Sequence, residues 1–456
     1  MNCRNTELTA KLRQFIATIC LGPICYGVSL SWTSPVLPQL QNQNSTLPFT
    51  LSIVEGSWVG SMLAVGVLCA AIPSGYLADR VGLKRCIIGL ALPNVIFTII
   101  VFFSEDVYSL CIGRFISGIA AGGVCVLSPM YIADISDVSV RGVLGCFFEL
   151  LIYVGVIFVS IFGAYFHYIT LTIVLGISSL LFGILFLIFP ESPTYLMKIG
   201  QKDDAKRALE FFRSEDSDVS HDLEQICYNL QEQQQRQKVN IKKALTSKPV
   251  VRGLIACVGL TVFQQLSAVN AIIFYGVQIF QEANTGIDAY TSAIIVSVVQ
   301  LVSALFTVFV IGKAGRRLFL YLSTIFCGIP LCILGVYFDL KVRNISFIGI
   351  DYVPLVSLLV FALGFALGLG PVPWLINGEL FSHEVKGVAN GITITSNWIT
   401  LFVITKTFPI AMKDVGPQFP FYLYASFMVL CLVFVKFCMP ETRGKSLEQI
   451  QNELKS

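Results

Sequence analysis

Long apolar stretches without charged side chains restrict what this chain can fold into. No Asp, Glu, Lys or Arg occurs in the ranges 14–54, 56–78, 150–190 and 352–378. A run of about 20 apolar residues makes a helix long enough to cross the hydrocarbon core of a bilayer. Only 13% of the 456 residues are charged, whereas soluble domains carry roughly a quarter. The chain is therefore predicted to be an integral membrane protein.

Twelve such runs are found when charges, Gly/Pro turns and glycosylation sequons are taken as their ends. The predicted spans are about 14–34, 56–78, 86–104, 108–132, 142–164, 168–189, 252–272, 289–311, 318–338, 353–376, 388–409 and 418–438. The first run shows no convincing small-residue cleavage site, so we expect a retained span and no removed signal peptide. The predicted fold class is all-α, with twelve transmembrane helices.

A polar segment and an internal repeat divide the chain. Residues 196–248 are rich in Lys, Asp, Glu and Gln and predict a solvated, helical linker. Asp134 precedes Arg141-Gly142 by seven residues, as Glu379 precedes Lys386-Gly387, 245 residues later. Pro190-Glu191 likewise returns as Pro440-Glu441. Two six-helix bundles are therefore expected, an arrangement typical of transporters. The predicted domains are a cytoplasmic N-terminus (1–13), two bundles (14–195 and 250–439), a cytoplasmic linker (196–249) and a cytoplasmic tail (440–456).

The distribution of Lys and Arg predicts that both termini are cytoplasmic. With that orientation the linker and most basic loop residues lie inside, as positively charged loops do. The two Asn-x-Ser/Thr sequons, at Asn44 and Asn344, then fall on extracellular loops as glycosylation candidates.

The composition also excludes several functions. A net charge of +3 without a basic, aromatic-rich face argues against nucleic acid as a partner. The 14 Cys form no CxxC pair, and the three His have no ligand spacing, so no metal site is predicted. No phosphate-binding loop or catalytic constellation is present, so neither a cofactor nor an enzyme is expected. The oligomeric state stays open.

Polar side chains inside the spans are the candidates for binding a substrate, because they are costly there. Span seven carries Gln264, Gln265 and Asn270. Gln265 and Asn270 would lie about 140° apart on a continuous helix, so one ligand reaches both only if that helix is broken or the cavity wraps around it. Amides suit hydroxyl-rich ligands, although each amide alone also fits an interhelical hydrogen bond. Gln300 and Asn397 are weaker intramembrane candidates.

Span ten contains Gly368-Leu369-Gly370-Pro371-Val372-Pro373-Trp374. Two prolines and two glycines predict a discontinuous helix that is buried in protein or lines a cavity. Trp374 offers a face for stacking on a sugar ring, or else it is an interfacial anchor.

Glu149 lies about two turns inside span five, away from any cation nearby in the sequence. Three roles stay open for it: a proton-coupling group, an acceptor for sugar hydroxyls, or a structural partner of an amide.

Charged residues in the predicted cytoplasmic loops are candidates for a latch that breaks during a conformational cycle. Asp79 is expected to hold an Arg or a helix N-terminus, and Asp134 with Arg141 and Glu379 with Lys386 are expected to pair. An exposed pair adds little stability, so its role would come from forming in one state only. Alternatively, these residues are anchors that set the orientation.

These motifs together resemble the sugar porter family of the major facilitator superfamily, over nearly the whole chain. The resemblance rests on 75–85, 113–115, 129–142, 190–193, 264–270, 315–317, 370–374 and 440–447. Residues 33–35, residues 57–61 and the short outer loops look most like the facilitated trehalose transporters of insects.

The resemblance implies a sugar substrate and alternating access. It implies sugar contacts at Gln264, Gln265, Asn270, Trp374 and Asn397, with an amide near Gln300. It also implies an outer gate at Tyr275. The residues that it implies for an inner latch are Asp79, Arg80, Arg85, Asp134, Arg141, Arg316, Arg317 and Glu379.

The chain departs from the family pattern at several positions. Glu149 stands where a Gln usually contacts sugar, Gly312 replaces an acid, Asp137 replaces a Pro, and Lys386 replaces an Arg. Ser29 stands where proton-coupled relatives carry an Asp, which favours facilitated diffusion. The leading hypothesis is a plasma-membrane uniporter of trehalose or a hexose. The alternatives are a proton-coupled symporter using Glu149 and a non-transporting sugar receptor.

Overall fold

The chain folds into α-helices, and no strand occurs in the part that the structure describes. The computed structural model describes residues 2–42, 50–137, 140–214, 218–236, 245–311, 314–345, 348–381, 383–443, 445 and 447–455. Before the linker, the helices are α1 (Asn2–Cys20), α2 (Pro23–Ser31), α3 (Thr33–Gln41), α4 (Ile53–Val81), α5 (Leu83–Gly89), α6 (Ala91–Phe102), α7 (Val107–Ile135), α8 (Arg141–Tyr165) and α9 (Tyr168–Phe186).

The linker forms α10 (Pro193–Lys198), α11 (Lys202–Phe212) and α12 (Val219–Arg236). It is followed by α13 (Lys248–Leu266), α14 (Val269–Ala283), α15 (Ala289–Val310), α16 (Arg316–Val342), α17 (Val353–Leu367), α18 (Val372–Glu379), α19 (His383–Asp414), α20 (Gln418–Cys438) and α21 (Leu447–Lys455). A short 3₁₀ turn, Ile350–Tyr352, precedes α17.

Within the described residues, twelve helical segments are long and apolar enough to cross a membrane, as the sequence predicts. Several are longer than predicted. Span one reaches Gln41 through three consecutive helices, and span seven reaches Ala283 as α13 and α14. The expected end of span seven near residue 272 is wrong because later polar side chains have partners: Gln278 Nε2 donates to Gln41 Oε1 at 2.7 Å. Hydropathy alone does not detect such pairs.

The chain forms two compact units. Unit 1 comprises Met1–Leu30, Val65–Val156 and Ile169–Lys238, and unit 2 comprises Ser31–Ala64, Ile157–Tyr168 and Val239–Ser456. Unit boundaries fall within α2, α4, α8 and α9, whose predicted extracellular ends belong to unit 2. The division into two sequential six-helix bundles stays a prediction.

Within unit 1, the linker packs against the transmembrane helices. Phe212 of α11 is fully buried in a core with Tyr131, Ile135 and Phe186. Arg213 Nε lies 2.9 Å from Asp137 and 2.8 Å from Asp222. Asp137 therefore binds the linker to the end of α7.

Candidate functional site

Span seven is broken between its two helices. The break lies between Leu266 and Val269, where Ala268 adopts a left-handed conformation with φ 71°. The turn brings together two amides that a continuous helix would separate, and Asn270 Nδ2 donates to Gln265 Oε1 at 2.6 Å. One of the two conditions anticipated from the sequence, a broken helix, is met.

Two further amides complete this group. Gln265 Nε2 donates to Asn397 Oδ1 at 3.1 Å, and Asn397 Nδ2 donates to Gln264 Oε1 at 3.2 Å. We call Gln264, Gln265, Asn270 and Asn397 the amide cluster; all four are buried. The structure therefore joins four of the predicted sugar-contacting residues, all within unit 2.

The amide cluster keeps some hydrogen-bonding capacity for a ligand. Each amide offers two N–H donors and one oxygen acceptor. Among the described residues, one N–H of Gln265 and the oxygen of Asn270 have no partner. Gln300 on α15 is 7% exposed, and its amide makes no hydrogen bond within the described part of the chain. Such unpaired donors and acceptors match the hydroxyl groups of a carbohydrate.

Span ten is discontinuous, as its prolines and glycines predict. Helix α17 ends at Leu367 and α18 begins at Val372. A Cβ at Gly368 would lie 2.3 Å from the carbonyl oxygen of Phe319, so the close backbone approach requires glycine there. Ser323 Oγ accepts the N–H of Leu369 at 2.8 Å. Trp374 lies just beyond the break and is 39% exposed, which leaves ring surface for a ligand.

Tyr275 lies at a kink in α14, where its φ/ψ angles of −126°/17° depart from helical values. Its hydroxyl donates to the carbonyl of Thr405 at 2.5 Å. A Cβ at Gly60 would lie 2.6 Å from that hydroxyl, so span two packs tightly against it. The N–H of Val277, beyond the kink, donates to Ser34 Oγ at 3.3 Å. Tyr275 is thus enclosed at the predicted extracellular end of unit 2.

Lys406 adds a second connection at that end. Its ammonium donates to Ser57 Oγ at 2.8 Å and lies 3.8 Å from the ring centroid of Trp58. The bond joins span eleven to span two, and the charge above an indole face is a favourable cation–π contact. The sequence gives no indication of this contact, because Ser57 and Lys406 are 349 residues apart.

A carboxylate at the start of a helix recurs in both units. In unit 1, Glu191 Oε1 accepts the N–H of Lys84 at 2.8 Å, in the first turn of α5. A Cβ at Gly82 would lie 2.4 Å from Glu191 Oε2, so this contact depends on glycine. A helix N-terminus has unpaired N–H groups and attracts negative charge. Glu191, not Asp79, therefore holds the helix N-terminus that the sequence led us to expect.

Unit 2 repeats the arrangement with Glu441. Its carboxylate accepts the N–H groups of Arg316 at 3.0 Å and Arg317 at 3.2 Å. A Cβ at Gly315 would again lie 2.4 Å from the carboxylate. The sequence signal was the repeated Pro-Glu, which we noted without assigning these two acids a role.

The predicted latch acids have other partners than expected. Asp79 pairs with Lys198 at 2.8 Å, and Asp134 accepts bonds from Ser192 Oγ and, at 3.1 Å, from Thr194 Oγ1. The expected pairing of Asp134 with Arg141 is not formed, because Ser192 and Thr194, at the start of α10, occupy the carboxylate.

The second acid shows the same difference. Glu379 binds Arg316 at 3.2 Å and Thr442 Oγ1 at 2.6 Å. Lys386, its expected partner, instead donates to the carbonyl of Gly378 at 3.0 Å. The nearer cation comes from a distant helix, which spacing along the chain does not reveal.

The remaining predicted residues lie at separate places. The Arg80 guanidinium lies 4.3 Å from the ring centroid of Tyr76, and Arg85 is exposed. Glu149 is exposed on α8 and makes no hydrogen bond or ion pair with any described residue. Asn344 is exposed after α16, whereas Asn44 lies outside the described residues.

The Glu441 contact predicts a pH-dependent stability. Burial raises the pKa of Glu441, but N–H groups of residues 443, 316, 317 and 442 outweigh that effect and hold the pKa below its usual value. A depressed carboxyl pKa contributes stability above the unfolded value, about 4.3, and that contribution is lost as the pH falls through the folded value. We expect Glu441→Gln to melt at a lower temperature than wild type at pH 7.

That difference should shrink as the pH falls below about 4, which thermal unfolding in detergent at several pH values measures. Glu224→Gln, an exposed site on α12, is the control and should change little at any pH. A Glu441→Gln deficit that is equally large in acid would contradict the assigned role.

Similarity to known proteins shows the family of this chain. A model of the sugar (and other) transporter family matches residues 17–454. The chain belongs to that family. A facilitated trehalose transporter of Culex quinquefasciatus is 33% identical over 96% of this chain and 84% of its own length. A facilitated trehalose transporter of Aedes aegypti is 32% identical; the matched region covers 96% of this chain but only 54% of that relative.

A solved structure confirms the fold of this transporter-family member. The inward open conformation of the xylose transporter XylE from E. coli matches with a TM-score of 0.78 and 23% identity, covering 97% of this chain and 99% of that chain. The predicted all-α, twelve-span major facilitator fold is therefore confirmed. The protein is a multi-pass membrane transporter, and its relatives are transporters and not enzymes.

Proposed function

We propose that the protein carries trehalose or a hexose down its concentration gradient across the plasma membrane, by alternating access, with both termini cytoplasmic. The observation that carries the proposal is the amide cluster, in which four buried intramembrane amides are joined and still offer unpaired donors and acceptors. The printed names of the insect relatives add trehalose as the first substrate to test.

The proposed sugar contacts are the ring of Trp374, through stacking, and the amides of Gln264, Gln265, Asn270, Gln300 and Asn397. Glu149 is proposed as a hydroxyl acceptor in unit 1. Tyr275 is proposed as an outer gate. The inner latch is assigned to the charged residues already described, Asp79, Arg80, Arg85, Asp134, Arg141, Arg316, Arg317 and Glu379. Asn44 and Asn344 are proposed glycosylation sites.

The surroundings of Ser29 support uniport. Arg114 is fully buried in span four, and its Nη1 donates to the Ser29 carbonyl at 2.8 Å. A serine hydroxyl does not ionise near neutral pH, so this position offers no titrating group to couple proton and sugar movement. The contrary observation is Glu149, which is unpartnered in the described structure and favours proton symport as the second candidate.

Uptake into proteoliposomes tests both candidates. We expect saturable uptake of labelled trehalose or glucose that an inward proton gradient does not change, and that does not exceed equilibrium. Glu149→Gln should then keep equilibrative transport, because the amide retains a hydroxyl acceptor. Accumulation above equilibrium that Glu149→Gln abolishes would establish symport instead, and saturable binding without uptake would indicate a receptor.

A further inference from the structure

Lys406 places a positive charge well inside a membrane-spanning helix. It lies eight residues before the end of α19 at Asp414, which is about 12 Å along a helix that rises 1.5 Å per residue. It is the only Lys or Arg in the range 387–412. A charged side chain at that depth is costly unless it has a partner or reaches water. What the Lys406 ammonium binds therefore matters for function as well as for stability.

One face of α4 supplies partners for this ammonium. Its Nζ donates to Ser57 Oγ at 2.8 Å and to the carbonyl of Val54 at 3.4 Å, and it lies 3.8 Å from the ring centroid of Trp58. Phe402, one turn before Lys406 on α19, also packs against the indole, with 6.3 Å between the ring centroids. Side chains three and four positions apart share a helix face. Two helix faces therefore meet here, one from span two and one from span eleven.

The hydrogen bonds around Ser57 suit a cation. Ser57 is fully buried, and its hydroxyl donates its hydrogen to the Val54 carbonyl at 2.6 Å. The oxygen of that hydroxyl can then act only as an acceptor, which matches an ammonium, a group that has donors alone. Hydrogen bonds to a charged group are about twice as strong as neutral ones, and tryptophan is the aromatic side chain that binds a cation best. Replacing Lys406 by an apolar residue therefore removes a strong hydrogen bond and a cation–π contact together.

Helix α4 is divided between the two units, and the Lys406 contact lies on its unit 2 side. Residues 53–64 of α4 belong to unit 2, as α19 does, whereas the remainder of α4, from Val65, belongs to unit 1. In alternating access, one half of a transporter rocks against the other as a nearly rigid body. If α4 moves with unit 1 as one helix, residues 53–64 have to leave α19. The Lys406 contact then breaks whenever the sugar site opens at this end.

We propose that Lys406, Ser57 and Trp58 form an outer clasp, which holds the predicted extracellular end of span two against span eleven while the sugar site is closed to the outside. When the clasp opens, the water that enters hydrates the freed ammonium, so the clasp can open and re-form in every transport cycle. Tyr275 binds the carbonyl of Thr405, the residue before Lys406, so both outer contacts end on the same turn of α19. This role in transport rests on the proposed function.

Hydrogen–deuterium exchange in the first turns of α4 tests the outer clasp without any transport. Lys406→Met keeps the length of the side chain and removes its charge and donors. We expect it to raise amide exchange in 53–62 about tenfold, whereas Lys406→Arg, which keeps a cation and donors, should stay within about threefold of wild type. Lys413→Met, at an exposed site on the same helix, is the matched control and should stay within about twofold.

Two variants on α4 test the same contact from the other side. Trp58→Leu should also raise exchange in 53–62. Because residues in contact do not contribute independently, Trp58→Leu combined with Lys406→Met should raise exchange less than the product of the two single effects. Ser57→Ala, which removes only the hydroxyl, replaces Lys406→Met if that variant does not fold, and we expect it to raise exchange about threefold.

Transport kinetics in vesicles with one protein orientation test the role of the outer clasp in the cycle. Lys406→Met should lower KM for sugar outside about threefold and raise KM for sugar inside, because a larger fraction of the protein then faces outward. A damaged sugar site or a general loss of stability does not shift the two KM values in opposite directions.

Four results would overturn the inference: unchanged exchange in Lys406→Met, an equal increase in Lys413→Met, effects of Lys406→Met and Trp58→Leu that multiply, or KM values that rise on both sides. A wild type that takes up no sugar defeats the proposed function, whereas the exchange experiment still decides whether the outer clasp holds span two.

Discussion

Gly155→Ala is expected to remove most of the folded protein. The added Cβ would lie 2.2 Å from the carbonyl oxygen of Ile24 and 3.0 Å from the Cα of Gly27. These are backbone atoms, so no rotamer change relieves the clash, and α2 and α8 must move apart. Overpacking of this kind costs about 1–3 kcal/mol or more, and close helix contacts in membranes depend on small residues. Melting temperature and monodisperse yield in detergent measure the loss.

Gly145→Ala on the same helix is the matched control. A Cβ at Gly145 meets nothing within 4 Å, and replacing glycine by alanine in a helix gains roughly 0.5–1 kcal/mol. The two substitutions should therefore shift the melting temperature in opposite directions. Equal shifts of the same sign would show that the approach of α2 and α8 does not limit stability.

Asn397→Leu should have the largest effect on transport without unfolding the protein. Asn397 is 3% exposed, accepts a bond from Gln265 and donates to Gln264. Leucine leaves those two partners buried and unpaired, which costs about 1–3 kcal/mol, or roughly 5- to 150-fold in affinity. We expect KM for the transported sugar to rise at least tenfold, measured as initial uptake rates in proteoliposomes.

Asn390→Leu provides the comparison on the same helix, α19. The side-chain oxygen of Asn390 makes no hydrogen bond with a described residue, so KM should stay within about twofold of wild type. Similar KM values for the two variants would mean that the amide cluster does not organise the binding site.

The fold could be predicted from the sequence because the hydropathy and charge of each segment are enough to identify it as a membrane span. Twelve apolar runs are enough to identify twelve spans, and Pro371 with Pro373 are enough to predict the break in span ten. Span ends were less accurate, because the polar residues of α14 remain helical when a partner such as Gln41 is present. No property of the segment itself indicates that partner.

The sequence was sufficient to predict which residues form the candidate site, but not which hydrogen bonds they make. Gln264, Gln265, Asn270 and Asn397 were singled out because amides are costly in a membrane. Their hydrogen bonds depend on Ala268, an alanine in a left-handed conformation that sequence patterns do not anticipate. Likewise, the latch acids were found, but their partners Lys198, Thr194 and Thr442 come from other segments.

The two carboxylates that bind helix starts make their contacts with the backbone. Glu191 and Glu441, 250 residues apart, accept equivalent N–H groups, those of Lys84 and Arg317, beside equivalent glycines. The side chain directly after the glycine differs, being Leu83 in one unit and Arg316 in the other. Because the bond runs to the backbone, it tolerates either side chain at that position, whereas a Cβ in place of either glycine would lie 2.4 Å from the carboxylate.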